Sequence, residues 1–186
     1  LGDVYKRQVR RATQGFADYI NEAFDKPSVA IAYDSRIKSD VFAKAAAGVF
    51  AANGIHVYIY GELMPTPMLS FAVRELNCQA GVMVTASHNP AKYNGYKAYW
   101  EDGAQVTAPK DKEIIAEVKA VTDYQSVKTM DKKDAMDQGL YVVIGKEIDD
   151  AYMAELKKQI IHPDIIKEVA DDIRIVYSPF HGTGNV

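Results

Sequence analysis

Thr85-Ala86-Ser87-His88-Asn89-Pro90 is the segment of this chain best equipped for chemistry. It leaves a short apolar run, Ala80 to Thr85, and open α/β sheets place their ligand sites at the carboxyl ends of such strands. Pro90 restricts the residue before it and forces the chain out of regular structure. The result is a polar loop with a hydroxyl at its tip. A hydrolase elbow is disfavoured, because Ser87 lacks the flanking glycines of G-x-S-x-G. His88 is adjacent in sequence, which establishes no Ser–His hydrogen bond. A surface turn whose Ser87 and Asn89 bond their own backbone fits the composition equally well. From the residues alone, Lys97 reads as a solvated strand lysine and Arg36 as one side of an Asp34–Arg36 turn contact.

The elements that must hold this loop can be read from hydrophobic spacing. Phe16, Tyr19, Ile20 and Phe24 recur at intervals of three to four and predict a helix from Ala12 to Phe24. Ser28 to Tyr33, Ile55 to Tyr60 and Ala80 to Thr85 are apolar runs and predict buried strands. Helices are expected from Asp40 to Ala52, stopped by Asn53-Gly54, and from Leu69 to Leu76 after Pro65 and Pro67. Asn94-Gly95 and Asp102-Gly103 are hairpin-type turn signals bracketing an extended Tyr96 to Glu101. Alternation there puts Tyr96, Ala98 and Trp100 on one face, and Lys97, Tyr99 and Glu101 on the other. Beyond it the pattern predicts a helix over Lys110–Val121, a polar surface connection over Thr122–Gln138 and a strand over Leu140–Ile144. A helix over Glu147–Ile161 and a short helical turn after Pro163 follow. A strand over Ile173–Tyr177 and a turn over Ser178–Gly184 close the chain. The fold class is α/β, with a mixed, largely parallel sheet flanked by helices.

Composition sets outer bounds. The 186 residues are 48% apolar and 25% charged, which excludes a disordered polymer, a collagen and a small disulfide scaffold. A formal charge of −3 gives no electrostatic reason to expect nucleic acid or an anionic membrane as partner. One cysteine, Cys78, forms no internal disulfide, and no apolar run approaches the ~20 residues needed to span a bilayer. The expected compartment is the cytoplasm. Composition leaves the oligomeric state open.

TASHNP followed by Tyr93-Asn94-Gly95-Tyr96-Lys97 closely resembles the active-site serine loop of the α-D-phosphohexomutases. Val9 to Tyr19 is similar to the first helix of that family's amino-terminal domain. Asp34-Ser35-Arg36 with Ser39 resembles its Asp-x-Arg turn, and Pro65-Thr66-Pro67 its Thr-Pro turn. Tyr99 to Gln105 and the closing His181-Gly182-Thr183-Gly184 resemble the branch that contains phosphoglucomutase and phosphopentomutase enzymes.

The resemblance implies a mechanism. Ser87 would be carried as a phosphoserine, pass its phosphoryl group to a sugar monophosphate, and recover a phosphate from the bisphosphorylated intermediate. Lys97 would exchange a proton with the attacking sugar hydroxyl, its pKa lowered by a nearby metal or by burial. His88 would be a further catalytic residue, hydrogen-bonding the phosphate or sugar; Arg36 would orient the serine loop or pair with a phosphate, and Asn89 would bind phosphate. Mg²⁺ is the implied cation, touching Ser87 through its phosphate, and a sugar bisphosphate the implied activator. The implied reaction interconverts glucose 1-phosphate and glucose 6-phosphate. The ribose or deoxyribose 1- to 5-phosphate reaction is the alternative, and phosphomannomutase is a more distant one. A non-catalytic phosphosugar-binding module is the reading from another class.

The sequence also departs from the family pattern. The Gly-Thr-x-Gly-x-Arg segment expected before the first helix is replaced by Leu1 to Gln8, set apart as a possible non-native leader. The Asp-Gly-Asp-x-Asp-Arg metal loop does not occur before Val186. The domain expectation is therefore 9–171 as an amino-terminal phosphohexomutase domain and 172–186 as the start of a truncated second one. Such a fragment is expected to be inactive by itself.

Overall fold

The computed structural model describes residues 2–180. Five strands form one sheet: β1 (Ser28–Tyr33), β2 (His56–Tyr60), β3 (Ala80–Val84), β4 (Tyr96–Trp100) and β5 (Tyr141–Ile144). Their order across the sheet is β4-β3-β1-β2-β5. β1 pairs in parallel with β2 and β3, β2 pairs in parallel with β5, and β4 runs antiparallel to β3. The expected mixed, largely parallel sheet is what forms.

Helices cover both faces, which is why β1 and β3 are apolar on consecutive residues rather than on alternate ones. Val29, Ile31, Val57, Ile59, Ala80 and Val82 point to a core shared with α1 (Gly2–Ala23), α2 (Ser39–Ala52) and α4 (Lys110–Ala120). Ala30, Ala32, Tyr60 and Met83 point the other way, against α3 (Thr66–Glu75) and α6 (Lys146–Lys157). Small residues at Ala43, Ala46 and Ala47 let α2 lie close to the sheet. Cys78 is packed in the second core, and burial pushes its thiol up to about 11, so it is inert at neutral pH.

Several elements differ from the sequence reading. The first helix reaches back to Gly2, because nothing from residue 4 to 12 breaks a helix, and the Tyr5 ring packs 6.0 Å from that of Phe42. The polar stretch 122–138 is not a bare connection. It holds a 3₁₀ turn at Tyr124–Ser126 and α5 (Lys132–Asp137). Met130 N donates to the Gly48 carbonyl at 3.0 Å, and the Lys128 N–H to Gln14 Oε1 at 3.0 Å, so the segment docks on α2 and α1.

The strand expected over Ile173–Tyr177 does not form. After α7 (Ile165–Val169) the chain is coil, with Ile175 and Val176 projecting into solvent. A strand is stable only on a neighbour's ladder of N–H and C=O groups, and this segment pairs with none of the five described strands. The motif His181–Gly184 lies outside the described residues. Among the described residues no helix is long and apolar enough to cross a membrane.

Candidate active site

The strand order makes one position special. From β1 the chain moves to β2 on one side, then crosses back to β3 on the other. The carboxyl ends of β1 and β3 therefore part company at a topological switch point, the usual ligand crevice of an open α/β sheet. Asp34 and Arg36 leave β1 there, and Thr85 to Asn94 leave β3.

Asp34 is the knot between them. Its Oδ2 accepts from Thr85 Oγ1 at 2.6 Å and from Arg36 Nε at 3.0 Å. Its Oδ1 accepts from Ser39 Oγ at 2.9 Å and from the Arg36 N–H at 3.1 Å. Thr85, itself buried, accepts the Ser87 N–H at 3.0 Å on the same hydroxyl. Asn94 closes the loop by donating to Ser39 Oγ at 2.9 Å, and its Oδ1 accepts the Gly95 N–H at 2.9 Å. At Gly95 a Cβ would stand 2.5 Å from the Thr85 carbonyl, so only glycine lets the two ends of the loop meet.

Ser87 sits at the top of this frame with φ 56°, in the left-handed region that costs a non-glycine residue roughly 1–2 kcal/mol. Strain of this kind persists where the surroundings over-determine it, and it clusters at functional positions. The Ser87 side chain is exposed, and its hydroxyl makes no hydrogen bond within the described residues. His88 and Asn89 are exposed beside it; the Asn89 carbonyl, not its amide group, is held, by Arg36. The Arg36 guanidinium is spent on the loop's backbone: Nη1 reaches the carbonyls of Asn89, Pro90 and Tyr93, and Nη2 that of Ser87.

Lys97 lies on β4 opposite Met83, one residue from the end of β3 that feeds the serine loop. It shares the α3 side of the sheet with Tyr99, as alternation predicts, while Tyr96, Ala98 and Trp100 face α1. Among the described residues its side-chain nitrogen has no carboxylate or hydrogen-bond partner. Between the loop and α2 lies a hollow of about 430 Å³ whose lining includes Lys38 and Lys92.

A divalent cation finds no cage here. Among the described residues no three His, Cys, Asp or Glu side chains converge, and both oxygens of Asp34 already accept two donors each. The described residues do not themselves fit Mg²⁺. The sequence names Thr85, Ser39, Asn94 and Gly95 within the motifs and turns but gives no sign that they interlock around Asp34, a frame made only by the bonds from Ser39 and Thr85 to Asp34 and from Asn94 to Ser39.

Fold and site together define a doubly wound α/β domain that holds a serine, strained and open, at its switch point. The chain matches "Phosphoglucomutase/phosphomannomutase, alpha/beta/alpha domain I" over residues 2–125 and belongs to that family. It is 37% identical over 179 residues to the "Probable phosphomannomutase" of Haemophilus influenzae, covering 95% of this chain and 34% of that one. It is 37% identical over 181 residues to the "Probable phosphoribomutase" of Schizosaccharomyces pombe, covering 95% of this chain and 30% of that one. The solved open form of parafusin, a phosphoglucomutase from Paramecium, shares the fold with TM-score 0.67 at 20% identity, over 88% of this chain and 33% of that one. The chain thus spans about a third of the length of the curated relatives it matches.

Proposed function

We propose that this chain is the phosphoserine-bearing domain of a sugar-phosphate mutase that interconverts glucose 1-phosphate and glucose 6-phosphate. The observation that carries the reading is Ser87, exposed and left-handed at the switch point of a domain of this family, with a hydroxyl that makes no hydrogen bond among the described residues. In the first half-reaction a sugar hydroxyl attacks the phosphorus on Ser87 Oγ. The new bond joins phosphorus to the sugar oxygen as the P–Oγ bond breaks; the hydroxyl proton moves to the neutral amine of Lys97, and the departing Ser87 Oγ takes up a proton from solvent. The second half-reaction reverses these events at the other end of the sugar bisphosphate. Splitting one transfer into two matched ones lowers each barrier.

The names of the relatives span mannose and ribose phosphates, and this supports the pentose reaction as a second reading. Assays of the full-length protein with glucose, mannose and ribose 1-phosphates in parallel test both. The expected result is fastest turnover on glucose 1-phosphate; no turnover on any of the three overturns the mutase reading. In the same assay Lys97→Met is expected to lower kcat by about 10²–10⁴-fold, the usual worth of a positioned acid–base group, with KM changed little. An unchanged kcat removes Lys97 from proton transfer.

A further inference from the structure

We propose that Arg36 is a positioning residue for the serine loop and not a ligand for substrate phosphate. A guanidinium has five N–H donors in a rigid planar fork. Here Nε is committed to Asp34 Oδ2 at 3.0 Å. Nη1 lies 2.6 Å from the Asn89 carbonyl, 3.1 Å from that of Pro90 and 3.3 Å from that of Tyr93, and Nη2 bonds the Ser87 carbonyl. Within the described residues the carbonyls of Ser87, Asn89 and Tyr93 have no other donor. The Arg36 side chain is only 9% exposed. One Nη2 N–H is without a partner among the described residues, but the two-point grip by which arginine holds a phosphate would need donors that now bind Asp34 and the loop carbonyls.

The wiring explains how the strain at Ser87 is held. Ser39 and Thr85 fix Asp34, Asp34 fixes Arg36, and Arg36 gathers four carbonyls to one point beneath the loop. With those carbonyls turned inward and the Ser87 N–H tied to Thr85, the Ser87 side chain has only the outward direction left. Lysine keeps the charge but presents a single point of donors, and it cannot span Asp34 and four carbonyls together.

The consequence for turnover rests on Ser87 being the phosphoryl carrier, so the test has one readout that needs that reading and one that does not. Amide hydrogen exchange is measured over residues 85–95 in the full-length protein and in Arg36→Lys and Arg36→Ala. Both variants are expected to exchange about tenfold or more faster in this segment, with protection of β1, β2 and α2 retained as proof of folding. Transfer of phosphoryl to Ser87 from glucose 1,6-bisphosphate is expected to slow in both variants, with the half-saturating concentration little changed. Unchanged exchange over 85–95, or weaker bisphosphate binding that Arg36→Lys restores, overturns the proposal in favour of a phosphate ligand. If the parent protein takes up no phosphoryl at Ser87, the mutase reading fails and the exchange result still decides the role of Arg36.

Discussion

Ser87→Ala is expected to abolish phosphoryl uptake and turnover in the full-length protein while leaving its fold intact. The hydroxyl makes no hydrogen bond among the described residues and its side chain is exposed, so its removal deletes no packing and leaves no buried partner unpaired. Loss of a covalent carrier is a different matter, since enzymes stripped of their nucleophile lose on the order of 10⁶-fold in kcat. Incubation with a labelled sugar bisphosphate, followed by peptide mapping, is the measurement. Label on the loop peptide of the parent and none on the variant is the expected pattern. Wild-type turnover by the variant would take Ser87 out of the chemistry. Ser87→Gly should be equally inactive yet more stable than the parent by about 1 kcal/mol, because glycine accepts φ 56° without penalty. Activity and stability would then move in opposite directions at one position.

The second large effect is structural. Gly15 is buried where α1 crosses α4, and a Cβ there would stand 2.4 Å from Val118 N and 2.5 Å from Val118 Cα. Both are backbone atoms of a packed helix and neither can swing aside. Gly15→Ala should therefore cost about 3 kcal/mol, at the upper end of overpacking penalties, despite the ~1 kcal/mol by which alanine improves a helix interior. For a chain of this size that lowers Tm by roughly 6–12 °C. The separation of α1 from α4 should also break the 2.6 Å hydrogen bond from the Tyr19 hydroxyl to Glu113 Oε2. A urea midpoint within error of the parent's would show that the helices can part without cost.

The three central strands were legible because burial on both faces writes itself as unbroken apolar runs, SVAIAY and AGVMV among them. The alternation of β4 was legible for the complementary reason, an edge strand with two unlike faces. α5 was not, since KKDAMD buries only Ala135, and that helix owes its existence to docking against α2 rather than to its own pattern. Ile173–Tyr177 misled in the opposite direction: β-branched residues state a preference, but a ladder partner decides the outcome. The serine loop stood out through its residue types, and Lys97 only through the resemblance of its segment to the phosphohexomutase serine loop. What local sequence could not display was the partner of Arg36, whose acceptors lie more than fifty residues away and arrive only when the β1 and β3 ends meet. The same holds for Thr85 and Asp34.

That separation governs the order of events as the chain folds. Asp34 and Thr85 are 51 residues apart, and the segment between them must first lay down α2, β2 and α3. β3 then has to insert in parallel beside β1, with Val84 paired to Tyr33. Parallel pairings of this span close late, because the entropy of a long loop is lost before any contact rewards it. Before that closure Thr85 has no Asp34, the loop carbonyls have no Arg36, and nothing holds Ser87 in its left-handed turn. A nascent or half-folded chain thus carries the serine without the geometry, and reactivity at Ser87 reports completion of the sheet.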